Sequence, residues 1–108
     1  MADLPQPFFA RRRSNNGRVV IEVGGECDIA TLDALDKIVR EAVAAQPSEL
    51  VIDLAQATFI DSLTLGLLTS AARQIRSKGG SFKLVRACAP EIKRALEITG
   101  LDAYLLAS

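Results

Sequence analysis

The chain has 108 residues, one domain's length of polymer, and its 49% hydrophobic and 24% charged residues supply enough apolar surface to offset the entropy of ordering. Thirteen Lys and Arg balance thirteen Asp and Glu, which argues against strong attraction to nucleic acid or an anionic membrane. Histidine is absent, so the usual neutral-pH general base, every Ser-His-Asp or Cys-His arrangement and most zinc sites are excluded. These features favour a binding protein without a cofactor or metal over an enzyme.

Met1 to Gln6 reads as a loose end before a single domain over residues 7–108. It has no basic segment leading into an apolar stretch, and no later apolar run approaches the roughly 18 residues of a membrane span. Phe8 to Arg13 and Arg18 to Val23 are short β-type runs joined by Ser14-Asn15-Asn16-Gly17, a hairpin signal. Alternation along the first run sends Arg12 to the face opposite Arg11 and Arg13, so the run reads as a solvated, edge-protecting strand, not an RNA platform. Gly24-Gly25 is expected to end the second strand.

Leu32, Leu35, Ile38, Val39, Ala42 and Val43 recur at helical spacing, predicting an amphipathic helix over Thr31 to Ala45 that Asp28 or Thr31 could cap and Gln46-Pro47-Ser48 stops. Glu49 to Leu54 is a short buried strand, parallel to its predecessor because a helix connects them. A second helix runs from about Leu63 to Lys78, its first half largely buried and Ser62 at its N-cap, and Gly79-Gly80 stops it. Ser81 to Val85 forms the next strand. Pro90 opens a third helix with Ile92, Ala95 and Leu96 on its apolar face and Gly100 as its C-cap, and Leu101 to Leu106 closes onto the core. The order ββαβαβα implies an α/β domain: a small mixed sheet with an N-terminal hairpin and amphipathic helices packed against it. Cys27 and Cys88 show no CxxC spacing and read as free, small buried hydrophobes in a reducing, cytoplasmic compartment.

The segment Phe59-Ile60-Asp61-Ser62 places a hydroxyl between a buried strand and a helix start. A phosphate on Ser62 would sit at the positive end of that helix and be tolerated there, while adding about −1.5 to −2 charges to the surface. Together with Gly25-Glu26-Cys27-Asp28, the apolar Leu50 to Leu54, Gly79-Gly80 and the late Leu96 to Leu101 segment, these residues make the chain resemble, over nearly its whole length, the STAS-domain anti-sigma factor antagonists of bacterial partner-switching systems.

The resemblance implies a fold and a function. The partner would be an anti-sigma factor that is also a serine kinase. The unphosphorylated antagonist binds it and frees the sigma factor, phosphorylation at Ser62 ends productive binding, and a serine phosphatase could reverse the mark. Asp61, Leu63 and Gly66, with Glu26 and Asp28, are the expected partner-binding residues. Where the family usually reads Asp-Ser-Ser/Thr-Gly-Leu-Gly, this chain has Leu63 and Thr64 at the third and fourth places. Thr64 is either an ordinary first-turn residue or a second acceptor, and its branched side chain is expected to crowd the approach of a kinase. Gly66 either admits a closely packed partner or is a small residue where helix meets sheet. The alternative function is a non-phosphorylated STAS scaffold or a small-molecule-sensing interaction subunit.

The balanced charge is also uneven along the chain: residues 1–18 carry a net +3, 19–61 a net −7 and 62–108 a net +4. The acidic block ends at Asp61. If Glu26, Asp28 and Asp61 cluster in space, phosphorylation of Ser62 deepens an existing negative patch.

Overall fold

The computed structural model describes residues 7–105, so the loose end expected over Met1 to Gln6 lies outside the described residues. Strands β1 (Phe9–Asn15), β2 (Arg18–Cys27), β3 (Glu49–Ile60) and β4 (Ser81–Val85) form one mixed sheet in that order. β1 pairs antiparallel with β2, and β2, β3 and β4 are parallel. Helices α1 (Leu32–Ala44) and α2 (Ser62–Ser77) supply the two parallel crossovers, and α3 (Pro90–Thr99) and a 3-10 turn at Leu101–Tyr104 follow β4.

The hairpin closes through Asn16 and Gly17, both at positive φ (51° and 81°), which is the two-residue turn whose twist suits paired strands. Strand alternation then sorts the side chains. Val19, Ile21 and Val23 of β2, Leu50, Ile52 and Leu54 of β3, and Phe82 and Leu84 of β4 join Leu35, Val39, Leu68, Ala72, Ile75, Ile92 and Leu96 of the helices in one buried cluster. Leu101 completes it.

On the opposite face of the sheet, charged side chains pair across the strands. Glu22 lies 3.7 Å from both Arg11 and Arg13, while Glu49 takes Arg18 at 2.7 Å and Lys83 at 2.6 Å. These hydrogen bonds, from Lys83 and then Arg18, hold the Glu49 carboxyl below its ordinary pKa. Asp53 is buried, which by itself pushes its pKa up. Hydrogen bonds from the Arg86 guanidinium and the Ala55 N–H more than cancel that push, and its pKa lies below the usual value. Arg12 turns to the other side and meets Ser14, as alternation predicts.

Tertiary pairing corrects several expected boundaries. Gly24-Gly25 does not end β2. Gly24 lies under the Phe9 ring, where an added Cβ would come within 2.1 Å of a ring carbon, and the ladder shifts register around Gly25 (φ 79°) before resuming to Cys27. β3 runs 12 residues instead of six, because β2 continues beside it after β4 has stopped pairing at Asp53. α1 has no side-chain cap: Asp28 accepts instead from the Ala30 N–H at 3.0 Å, and Thr31 Oγ1 accepts from the Asp28 N–H at 3.0 Å. β4 and α3 keep their expected limits, with Gly100 in the left-handed conformation after α3. Cys27 is buried, whereas Cys88 is exposed in the β4–α3 connection, contrary to the expectation that both are buried.

Candidate functional site

The C-terminal ends of β2 and β3 lie side by side, with Glu26 opposite Phe59 and Cys27 opposite Ile60. Asp61 leaves the sheet with its N–H donating to the Cys27 carbonyl at 3.0 Å. Its own backbone is extended (φ −94°, ψ 175°), and its carboxylate accepts from the Thr64 N–H at 2.8 Å. Asp61 is therefore the N-cap of α2, and Ser62, expected in that role, is the first helical residue. An aspartate cap of this kind contributes about 1 kcal/mol.

That shift sets the character of the site. With the carboxylate of Asp61 occupying a helix N–H, the Ser62 side chain is free of capping duty and is exposed to solvent. Thr64 points inward at 1% exposure, its hydroxyl 3.5 Å from the Cys27 carbonyl to which it donates. It therefore does not crowd the approach to Ser62, and its hydroxyl is withdrawn from surface chemistry. The first half of α2 is divided: Thr64, Leu65 and Leu68 are buried, whereas Ser62, Leu63 and Gly66 are exposed.

The expected acidic cluster forms in part around Cys27. Burial first, then the negative charges of Asp61 and Asp28, push the Cys27 thiol up to about 11, so both carboxylates act on one buried atom. Glu26 is exposed at the adjoining strand end and Asp28 is half-buried in the loop that leads to α1. Among the described residues none of these three acids forms an ion pair.

One residue of this end, Ile29, escaped the sequence reading, and the exposure of another, Phe59, was not foreseen. Ile29 (75% exposed) and Phe59 (44%) join Leu63 (51%) as large apolar side chains left in solvent beside the acids. Ile29 sits between Asp28 and Ala30 in the β2–α1 loop, outside any periodic pattern, and Phe59 was read only as part of the segment joining the buried strand to the second helix. Ser62 thus stands at an end of the domain that combines exposed apolar groups with acids that form no ion pair among the described residues. Exposed apolar clusters mark binding surfaces more often than exposed single residues do.

Gly66 is exposed, and a Cβ built on it meets nothing within 4 Å. It is neither a helix–sheet contact nor a conformational necessity, yet a glycine inside a helix costs about 1 kcal/mol relative to alanine. Among the described residues no three His, Cys, Asp or Glu side chains gather as a metal-binding set, and no helix is long and apolar enough to cross a membrane.

A four-stranded mixed sheet with an exposed serine on the strand-to-helix junction defines a class, and comparison with known proteins bears out the resemblance seen in the sequence. The family described as "Mlab, STAS domain" matches residues 10–107, and the chain belongs to the STAS-domain family. It is 37% identical over 99 residues to the anti-sigma-F factor antagonist RsfB of Mycobacterium tuberculosis, covering 91% of this chain and 79% of that one. It is 29% identical over 90 residues to the anti-sigma-B factor antagonist of Bacillus subtilis, covering 82% and 80%. The crystal structure of an anti-sigma factor antagonist from Mycobacterium paratuberculosis superposes with a TM-score of 0.85 at 31% identity, covering 97% of this chain and 92% of that one.

Proposed function

We propose that the protein is an anti-sigma factor antagonist that binds its anti-sigma factor through the Ser62 end of the domain and is switched off by phosphorylation of Ser62. The observation that carries this reading is the exposed Ser62 hydroxyl on a capped, rigid helix start, at the end of the sheet that also exposes Ile29, Phe59 and Leu63. Glu26, Asp28, Asp61 and Gly66 complete the binding surface.

The chemistry requires nothing catalytic from this chain. A serine kinase activity of the anti-sigma factor transfers the γ-phosphoryl group of ATP to Ser62 Oγ. The new P–O bond replaces the bond to the β-phosphate, ADP departs, and the hydroxyl proton passes to a base on the kinase. A serine phosphatase restores the hydroxyl with water and releases inorganic phosphate. Ser62 is the acceptor in this reading and Thr64, being buried, is not.

In the free protein the phosphate faces water and the positive end of α2, so it costs little. In the complex it must lose its hydration against the partner, beside Asp61 and the exposed apolar groups. A neutral hydroxyl becomes a dianion where binding removes water, and the difference opposes association. Free thiols at Cys27 and Cys88 accord with action in a reducing cytoplasm.

The test compares wild type, Ser62→Ala and Ser62→Asp for binding to the cognate anti-sigma factor, with intact-mass measurement after incubation with ATP. Wild type and Ser62→Ala should bind, Ser62→Asp should not, and only wild type should gain about 80 Da, one phosphate. Equal binding by all three with no added mass leaves the protein a STAS scaffold.

A further inference from the structure

Resting on that reading of the Ser62 end, we infer that Thr64 is a positioning residue for phosphoryl transfer: its buried hydroxyl ties the start of α2 to the end of β2 and so fixes where Ser62 Oγ stands. Asp53 and Thr64 are the buried polar side chains among the described residues, and the Arg86 guanidinium and the Ala55 N–H account for Asp53. Packing does not account for the hydroxyl of Thr64, because valine has nearly the same shape and carries no polar atom to desolvate. The partner of that hydroxyl is also unlike those of the other helical threonines. Thr69 and Thr99 turn back along their own helices and donate to the carbonyls of Leu65 at 2.9 Å and Ala95 at 3.0 Å, one turn earlier. Thr64 instead reaches across to Cys27, the last residue of β2.

The Cys27 carbonyl accepts from the Asp61 N–H at 3.0 Å and from the Thr64 hydroxyl at 3.5 Å, while the Asp61 carboxylate accepts from the Thr64 N–H at 2.8 Å. These bonds close a ring through Cys27, Asp61 and Thr64, and Ser62 and Leu63 are the residues it spans. The backbone of Ser62 is thereby held from both sides while its side chain faces solvent. The ring also joins parts of the surface that different elements supply. Asp28 and Ile29 follow β2 and Phe59 stands opposite Glu26 on β3, whereas Ser62 and Leu63 belong to α2. A kinase that grips the strand ends finds the Ser62 hydroxyl at a set offset only while α2 keeps its register against Cys27. Phosphoryl transfer depends chiefly on placing the attacking oxygen in line with the γ-phosphoryl group, and a misplacement of about 1 Å can cost about 100-fold in rate. The hydroxyl bond is long, so it directs the helix start more than it stabilises the fold.

The test measures steady-state phosphorylation of the full chain by the cognate anti-sigma factor with ATP, together with thermal melting and mapping of the phosphorylated residue. Thr64→Val keeps the shape and loses the hydroxyl: kcat should fall at least about fivefold, with KM for the chain and the melting temperature held. Thr64→Ser returns the hydroxyl and should restore kcat. Should Thr64→Val fail to fold, Thr64→Ser and Thr64→Ala decide, since both lose the methyl group and only Thr64→Ala loses the hydroxyl. A lower kcat for Thr64→Ala then sustains the inference, and an equal one overturns it.

Wild-type kcat in Thr64→Val, or a raised KM with unchanged kcat, overturns the inference and leaves the Ser62 reading standing. A fall in kcat that Thr64→Ser does not restore overturns it as well, because the methyl group and not the hydroxyl is then what matters. Wild type that gains no phosphate, or gains it at Thr64, overturns the Ser62 reading and the inference together.

Discussion

The open face of the sheet and the Ser62 end both expose charge, but they treat it in opposite ways. On the sheet face Glu22, Glu49 and Asp53 each hold one or two cations. At the Ser62 end Glu26, Asp28 and Asp61 have no ion pairs among the described residues, and Ile29, Phe59 and Leu63 stand in solvent beside them. A surface whose charges neutralise one another serves the fold. One that leaves apolar groups and acids unmatched is the surface proposed for the partner, where a new charge is expected to act on binding more than on stability.

That contrast can be broken from either side. The largest effect is expected from Leu63→Asp, which puts a charge on the apolar surface next to Ser62: affinity for the anti-sigma factor should fall about 100-fold with melting unchanged. Calorimetry that finds both wild-type affinity and wild-type melting would remove Leu63 from the interface.

Arg86→Ala should do the reverse, leaving binding intact while lowering the urea midpoint of unfolding, because buried Asp53 loses its cation. The sign with pH follows from the depressed pKa of Asp53. A carboxylate whose folded pKa lies below its unfolded value, about 3.9, contributes stability above that value and loses it as pH falls through the folded pKa. The gap between wild type and Arg86→Ala should therefore be widest near neutrality and narrow as the pH drops below about 4.

Asp61→Ala sharpens the comparison, because Asp61 serves both regions' purposes. Losing the carboxylate cap should cost about 1 kcal/mol of stability, read by urea denaturation. If stability is unchanged, the Thr64 N–H has found another acceptor and the cap is dispensable.

Signals confined to neighbouring residues were legible in the sequence. Ser81–Val85 alternates Phe82 and Leu84 against Lys83, and Pro90 and Gly100 bracket α3, so both elements appear where local chemistry places them. β3 was read six residues short because its second half, Ala55 to Ile60, is held by β2, whose own continuation depends on Phe9 lying over Gly24. The candidate site was legible as a set, but the roles within it were not. Asp61 and Ser62 both suit an N-cap, and the extended backbone of Asp61 beside Cys27 decided which one caps.

By itself the sequence determined the α/β pattern, the absence of a histidine-based catalytic group, and a serine at a strand-to-helix junction beside acids. These depend on composition, periodicity and short-range capping chemistry, which neighbouring residues specify. Only the tertiary structure decided that Thr64 faces the core and Ser62 the solvent, that Ile29, Phe59 and Leu63 are left uncovered, and that Gly66 packs against nothing. Those outcomes depend on which strands continue past one another and which surfaces the helices bury. The acidic stretch seen as a net −7 over residues 19–61 thus divides in space: Glu22, Glu49 and Asp53 are matched across the sheet, and Glu26, Asp28 and Asp61 at the Ser62 end form no ion pair among the described residues.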